Sequence, residues 1–210
     1  MAETPEAIVG EPWEDAVRQR EAMLFGLWVF LATEVLFFGG LFLLYAHARL
    51  FAWSSFEEGA RAANPWFGTA NTVVLMTSSL TAAVGERAIR AGWARLGRWA
   101  YAATIALGLT FLVVKGFEYR EDVFERLFPG GDFRFHSDGA IQFWNFYWTV
   151  TIVHAIHLTI GASLIARLLW LDRRGALLAN WQSAEVTTVY WHLVDIVWVV
   201  LYPLLYLVGR

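Results

Sequence analysis

The chain has 210 residues, 58% of them hydrophobic, with 12 Trp and 16 Phe and only 17% charged. Soluble domains carry about a quarter charged residues and could not hide this much apolar surface, so the composition points to an integral membrane protein. The net charge of −3 argues against a nucleic-acid surface, and the lack of cysteine removes disulfides, thiolate metal sites, iron–sulfur clusters and Cys-x-x-Cys-His haem attachment.

The predicted fold is all-α, an integral membrane bundle of five transmembrane helices. Residues 1–22 are acidic (Glu3, Glu6, Glu11, Glu14, Asp15, Glu21) and lack the basic-then-apolar order of a cleavable signal. They read as a short extramembrane arm, with residues 23–210 forming the five-helix domain. Crossing a hydrocarbon core of about 30 Å takes about 20 helical residues. Five stretches qualify, at about 23–46, 67–85, 98–117, 139–171 and 185–207.

The first span holds one charge, Glu34, in FLATEVLFFGGLF, with Phe30, Leu31, Phe37 and Phe38 as its helical neighbours. Desolvation there favours the neutral acid. Two roles stay open: a carboxylic acid that holds register against a facing helix, and a proton-relay or lipid-associated group. The second span (NTVVLMTSSLTAAVG) is only mildly apolar, and its Thr, Ser and Gly suit close helix contact. Glu86 closes it as a surface carboxylate. The third span stays apolar until Lys115, which is expected to snorkel to the interface. Glu118 and Tyr119 end that span as a solvated helix terminus, with pairing to a buried His as the alternative.

The connection 118–138, with Pro129-Gly130-Gly131 and six acidic residues, reads as an exposed loop. The fourth span holds Asn145, His154 and His157. The two histidines are an i, i+3 pair on one face, suited to hydrogen bonding with Glu34, Glu118 or Asp195, or with His192 to a haem or metal. The fifth span carries Glu185, His192 and Asp195. Glu185 and His192 lie about 20° apart around the helix and Asp195 about 60° further. Ionisable groups at that depth need partners. Trp13, Trp53, Trp66, Trp93, Trp99, Trp144 and Trp181 mostly fall near span ends, as an interfacial belt. Nine of the sixteen Lys and Arg lie on the side of the N-terminal arm, which favours a cytoplasmic N-terminus.

In this order, the landmarks resemble subunit III of the haem–copper terminal oxidases. Tyr190 to Trp198 (YWHLVDIVW), with Glu185 just ahead, resembles the family's last-helix signature. Glu34 in TEVLFFGG resembles its carbodiimide-reactive intramembrane glutamate, and Asn71 in NTVVLMTSS the start of its next helix. Glu118-Tyr119 resembles a Glu-Tyr at the end of the one after, and His154 with His157 its His-x-x-His. The match covers about Met23 to Tyr206. Where many members have Gly-Phe-His-Gly-x-His, this chain has Ile152-Val153-His154-Ala155-Ile156-His157. That departure puts the helix packing there in doubt and leaves room for a divergent branch.

The resemblance implies a five-helix, noncatalytic accessory subunit of an aerobic respiratory terminal oxidase, in the first instance a cytochrome c oxidase. It implies no cofactor in this chain, haem and copper in the partner subunits, and bound phospholipid. The implied partners are catalytic subunit I and a copper-bearing or quinol-oxidase subunit II, in a bacterial plasma (inner) membrane. The subunit would stabilise the catalytic subunit, hold lipids and support proton uptake as oxygen is reduced to water. Glu34 would be the proton- or lipid-linked carboxylate, and Glu118, His154, His157, Glu185, His192 and Asp195 a structural polar network. The alternatives are a component of a quinol oxidase or of a nitric-oxide-reductase-associated complex, and an autonomous proton-coupled transporter. The last lacks the internal repeat and broken helices common in transporters.

Overall fold

A computed structural model describes residues 15–173, 177–178 and 181–208. The described residues are helical with no strand, and five of the helices are long and apolar enough to cross a membrane. The expected extramembrane arm lies outside the described residues up to position 14. From Ala16 onward it is helix.

Helix α1 runs Ala16–Phe51, started by Asp15, whose side chain accepts from the Arg18 backbone N–H at 2.7 Å. Its 36 residues span about 54 Å, well beyond what a hydrocarbon core requires. A short helix, α2 (Trp53–Arg61), follows in what hydropathy marks only as a loop. Its Phe56, Gly59 and Ala60 are buried and it packs on the start of α5. Helix α3 (Pro65–Arg90) opens with Asn64 capping the Trp66 N–H and Pro65 in the first turn.

The joint between α3 and α4 (Ala94–Phe124) is set by Gly92 at φ +80°. Trp93 N donates to Ala88 O and Gly92 N to Ile89 O, which together form a Schellman close. The two helices then pack over much of their length. Small side chains make this possible: α3 buries Ser78, Ala82, Gly85 and Ala88, and α4 buries Gly97, Ala100, Thr104 and Gly108. The hydroxyls of Thr81 and Thr104 meet across the seam at 2.8 Å.

Helix α4 continues to Phe124, so the first part of the predicted exposed loop 118–138 is helix, with Glu118 and Asp122 buried. The remaining loop is tied down: Trp148 Nε1 donates to Leu127 O at 3.1 Å, and Leu127 and Phe133 are buried. Helix α5 spans Asp138–Arg173 and α6 spans Trp181–Tyr202. The chain then widens into a π-helical turn, Pro203–Leu207.

Helix α6 is the central element. Half of its apolar window is buried, against 11% for α1. Trp191 fills a notch between Gly108 and Gly161, where an added Cβ would come within 2.8 and 2.9 Å of its ring, and donates to Ser78 Oγ at 3.1 Å. Trp198 donates to Thr72 Oγ1 at 3.1 Å. Trp144, grouped above with the interfacial belt, is fully buried among Phe143 and Tyr147, because α5 turns that face to the core. Trp53, Trp66, Trp93 and Trp99 are exposed.

Candidate functional site

The structure gathers the ionisable side chains at three levels. In the middle of the seam between α1 and α5, Glu34 Oε2 lies 3.1 Å from His157 Nε2. The imidazole is oriented from its other side, with Nδ1 2.8 Å from Val153 O. A carbonyl oxygen can only accept, so Nδ1 carries its proton and Nε2 is left to face the carboxyl. The two groups face each other at ion-pair distance, although Glu34 Oε2 closes no hydrogen bond of ordinary geometry among the described residues. Phe38 packs edge-on against the ring, and Tyr190 donates to His157 O at 3.1 Å. Glu34 therefore has a companion on a facing helix, which its own span gave no means of finding.

At the loop end of α4 lies a denser cluster. Lys115 is 1% exposed, so the expected snorkelling does not occur. Helix α4 runs on for nine residues past it, about 14 Å, which puts the ammonium inside the bundle. Its Nζ donates to Glu118 Oε2 at 3.0 Å, to Tyr147 Oη at 3.0 Å and to Tyr206 Oη at 2.8 Å. Tyr206 donates to Glu118 Oε1 at 2.6 Å. Tyr147 Oη lies 2.7 Å from Glu118 Oε1 and 2.8 Å from Asp122 Oδ2. The expected solvated terminus at Glu118 is thus a buried charge pair, because Tyr147 and Tyr206 close over it from α5 and the π-helical turn. Tyr119 donates instead to Thr151 Oγ1 at 2.8 Å. Lys115, Asp122, Tyr147 and Tyr206 were missed as members of a site. The available signal was the i, i+3, i+7 spacing of Lys115, Glu118 and Asp122, which shares one helix face.

At the opposite end, Glu185 receives Arg20 Nε at 3.0 Å and Nη2 at 2.8 Å, and Arg90 Nη2 lies 3.1 Å from it. Arg90 also pairs with Glu86 at 2.6 Å, and both guanidiniums sit over the Trp181 ring at 5.5 Å. Glu185 thereby joins α1, α3 and α6. Arg98 and Asp172 pair nearby, tying α4 to α5.

The other named residues stay apart from these groups. His192 Nδ1 lies 2.7 Å from Ser79 Oγ on α3. Asp195 is 3% exposed and sits beside Ser79, and neither of its oxygens closes a hydrogen bond of ordinary geometry among the described residues. His154 is 1% exposed, packed between Phe111 and Trp198, and neither ring nitrogen has a hydrogen-bond partner among the described residues. Consecutive turns of α5 thus give His154 and His157 different neighbours, which separates the pair that shared a face in the sequence.

Residues 14–210 match the family model described as cytochrome c oxidase subunit III. The chain is 34% identical over 187 residues to cytochrome c oxidase subunit 3 of Thermostichus vulcanus, covering 88% of this chain and 87% of the relative. It is 33% identical to the subunit 3 of Corynebacterium diphtheriae over 87% and 86% of the two chains. The subunit 3 of Bacillus sp. is 27% identical over 98% of this chain and 95% of its own length. With five helices among the described residues long and apolar enough to cross a membrane and a match along nearly its whole length, the chain belongs to the cytochrome c oxidase subunit III family, as a multi-pass membrane protein.

Proposed function

We propose that this protein is the noncatalytic accessory subunit of an aerobic terminal oxidase, stabilising the catalytic subunit, holding lipid along α1 and supporting proton uptake through Glu34. The observation that carries this reading is the family match over residues 14–210. The redox chemistry is then the partners', with haem and copper in subunits I and II and none in this chain. Helix α1 supports the lipid-holding part: it is the least buried span and turns Phe25, Trp28, Leu36, Leu43 and Leu44 outward. Glu34 and His157 support the proton-linked part, since a carboxyl and an imidazole face each other across the α1–α5 seam at 3.1 Å. The setting is a bacterial plasma membrane with the N-terminus cytoplasmic. Affinity capture of the chain from mild-detergent membranes tests this reading. A haem- and copper-bearing oxidase with associated phospholipid is expected in the eluate. A chain that elutes alone with a haem spectrum of its own would overturn the assignment. Within the captured complex, Glu34→Gln is expected to slow oxygen consumption without loss of subunits.

A further inference from the structure

We propose that the cluster at the loop end of α4 is a proton-binding site, with one exchangeable proton residing on the Asp122 carboxyl. Counting hydrogens leads there. An ammonium has three N–H bonds, and Lys115 Nζ has three oxygen neighbours, on Glu118, Tyr147 and Tyr206, so its protons are all used. The Tyr206 hydroxyl has one proton, which goes to Glu118 Oε1 at 2.6 Å. The Tyr147 hydroxyl also has one proton, yet two carboxyl oxygens lie within 2.8 Å of it, Glu118 Oε1 and Asp122 Oδ2. One hydrogen cannot fill both contacts, and two buried oxygens at that distance need a hydrogen between them. A further proton therefore belongs to a carboxyl.

The choice between the two carboxyls follows from their neighbours. Glu118 receives Lys115 on one oxygen and Tyr206 on the other, so it is the well-solvated anion. Asp122 meets only the Tyr147 hydroxyl in the cluster, and Glu121 sits next to it in the chain. With the proton on Asp122, Tyr147 accepts from Asp122 and from Lys115 and donates to Glu118, which fills its bonding capacity. The cluster then holds Lys115 as the cation, Glu118 as the anion and Asp122 neutral, for no net charge. Ionising Asp122 would leave an uncompensated negative charge in a buried site, which is strongly penalised.

The surroundings fit a fixed ammonium and a movable proton. Lys115 Nζ lies 4.5 Å from the Tyr147 ring centroid, 5.1 Å from Tyr119 and 5.6 Å from Trp198, aromatic surroundings that favour a cation. The π-helical turn swings Tyr206 into the cluster, and Gly68 makes room, since a Cβ there would meet the ring at 2.7 Å. Asp122, Tyr147, Glu118 and Tyr206 form one continuous hydrogen-bonded chain, with Asp122 at the end nearest the surface loop. The proposal is independent of the Glu34 reading and of which complex the chain joins.

Infrared difference spectra of the full-length chain in lipid vesicles test it. Wild type minus Asp122→Asn is expected to show the carbonyl stretch of one protonated carboxylic acid, shifting in heavy water. Asparagine keeps the size and supplies an N–H to Tyr147. Loss of carboxylate bands in its place would overturn the proposal. Lys115→Met gives a decision without altering Asp122: neutrality then requires both carboxyls to be protonated, so the acid signal assigned to the cluster should rise about two-fold. Absence of any acid signal from the cluster in that variant would equally sink it.

Discussion

Glu34→Gln and Glu34→Leu separate the two things that the carboxyl does for α1. Glutamine keeps the volume and offers an N–H to His157 Nε2, so thermal stability of the detergent-solubilised chain is expected to change little. Leucine leaves Nε2 facing an apolar group in a seam where His157 is mostly buried, an unmade hydrogen bond costing about 1–3 kcal/mol. Equal destabilisation by both would show that neither volume nor a hydrogen bond replaces the carboxyl at this position. The carboxyl itself was legible in the sequence, because one charge in a long apolar run stands out. Its partner is legible only as one of two histidines. Both His154 and His157 are one or two turns from small residues and share a helix face, and only the packing of α1 on α5 decides which ring faces Glu34. The burial of Lys115 is hidden for a related reason: a lysine late in an apolar run reads as snorkelling, and nothing local says that two tyrosines from other helices close over it.

At the scale of helices, the seams turn on where glycine is used for close approach. Gly161→Ala and Gly108→Ala each put a methyl within 3 Å of the rigid Trp191 ring. Alanine gains up to about 1 kcal/mol of helix propensity over glycine, but overpacking a fixed aromatic costs about 1–3 kcal/mol. Both variants are expected to lower the unfolding midpoint. Gly26, Gly39 and Gly40 on α1 have open space where a Cβ would go, so Gly26→Ala is expected to raise it slightly. Stabilisation by Gly161→Ala would contradict the notch geometry. The small-residue pattern of α3 announced this packing, since its Thr, Ser and Gly have little to offer lipid. Helix α2 is not legible in the hydropathy because nine residues, three of them buried, make no membrane-length apolar run. The five long helices were legible from length and hydropathy alone.

Across the whole molecule, α1 stands as an arm beside a bundle of α3 to α6, tied to it by polar contacts at three heights. Arg20 meets Glu185 near its start, Glu34 meets His157 in the middle, and Tyr45 donates to Leu204 O at 2.6 Å near its end. The ties are 14 and 11 residues apart, about 21 and 16 Å along the helix, far enough for their contributions to add. Each is worth about 1 kcal/mol, with Arg20 on the low side because it is partly exposed. Removing the two outer ties in the double variant Arg20→Ala, Tyr45→Phe is therefore expected to release α1 by about 2 kcal/mol. The Tyr45 ring, which packs on Phe56 and Phe146, stays in place in the phenylalanine variant, and the α3–α4 seam is built from those two helices alone. Hydrogen exchange across the full chain should then quicken roughly thirty-fold in α1 while α3 and α4 keep their protection, since 1.4 kcal/mol is a factor of ten in an opening equilibrium. Equal loosening of α3 and α4 would mean that α1 is an integral stave of the bundle, and the lipid-holding role proposed for its outer face would lose its structural basis.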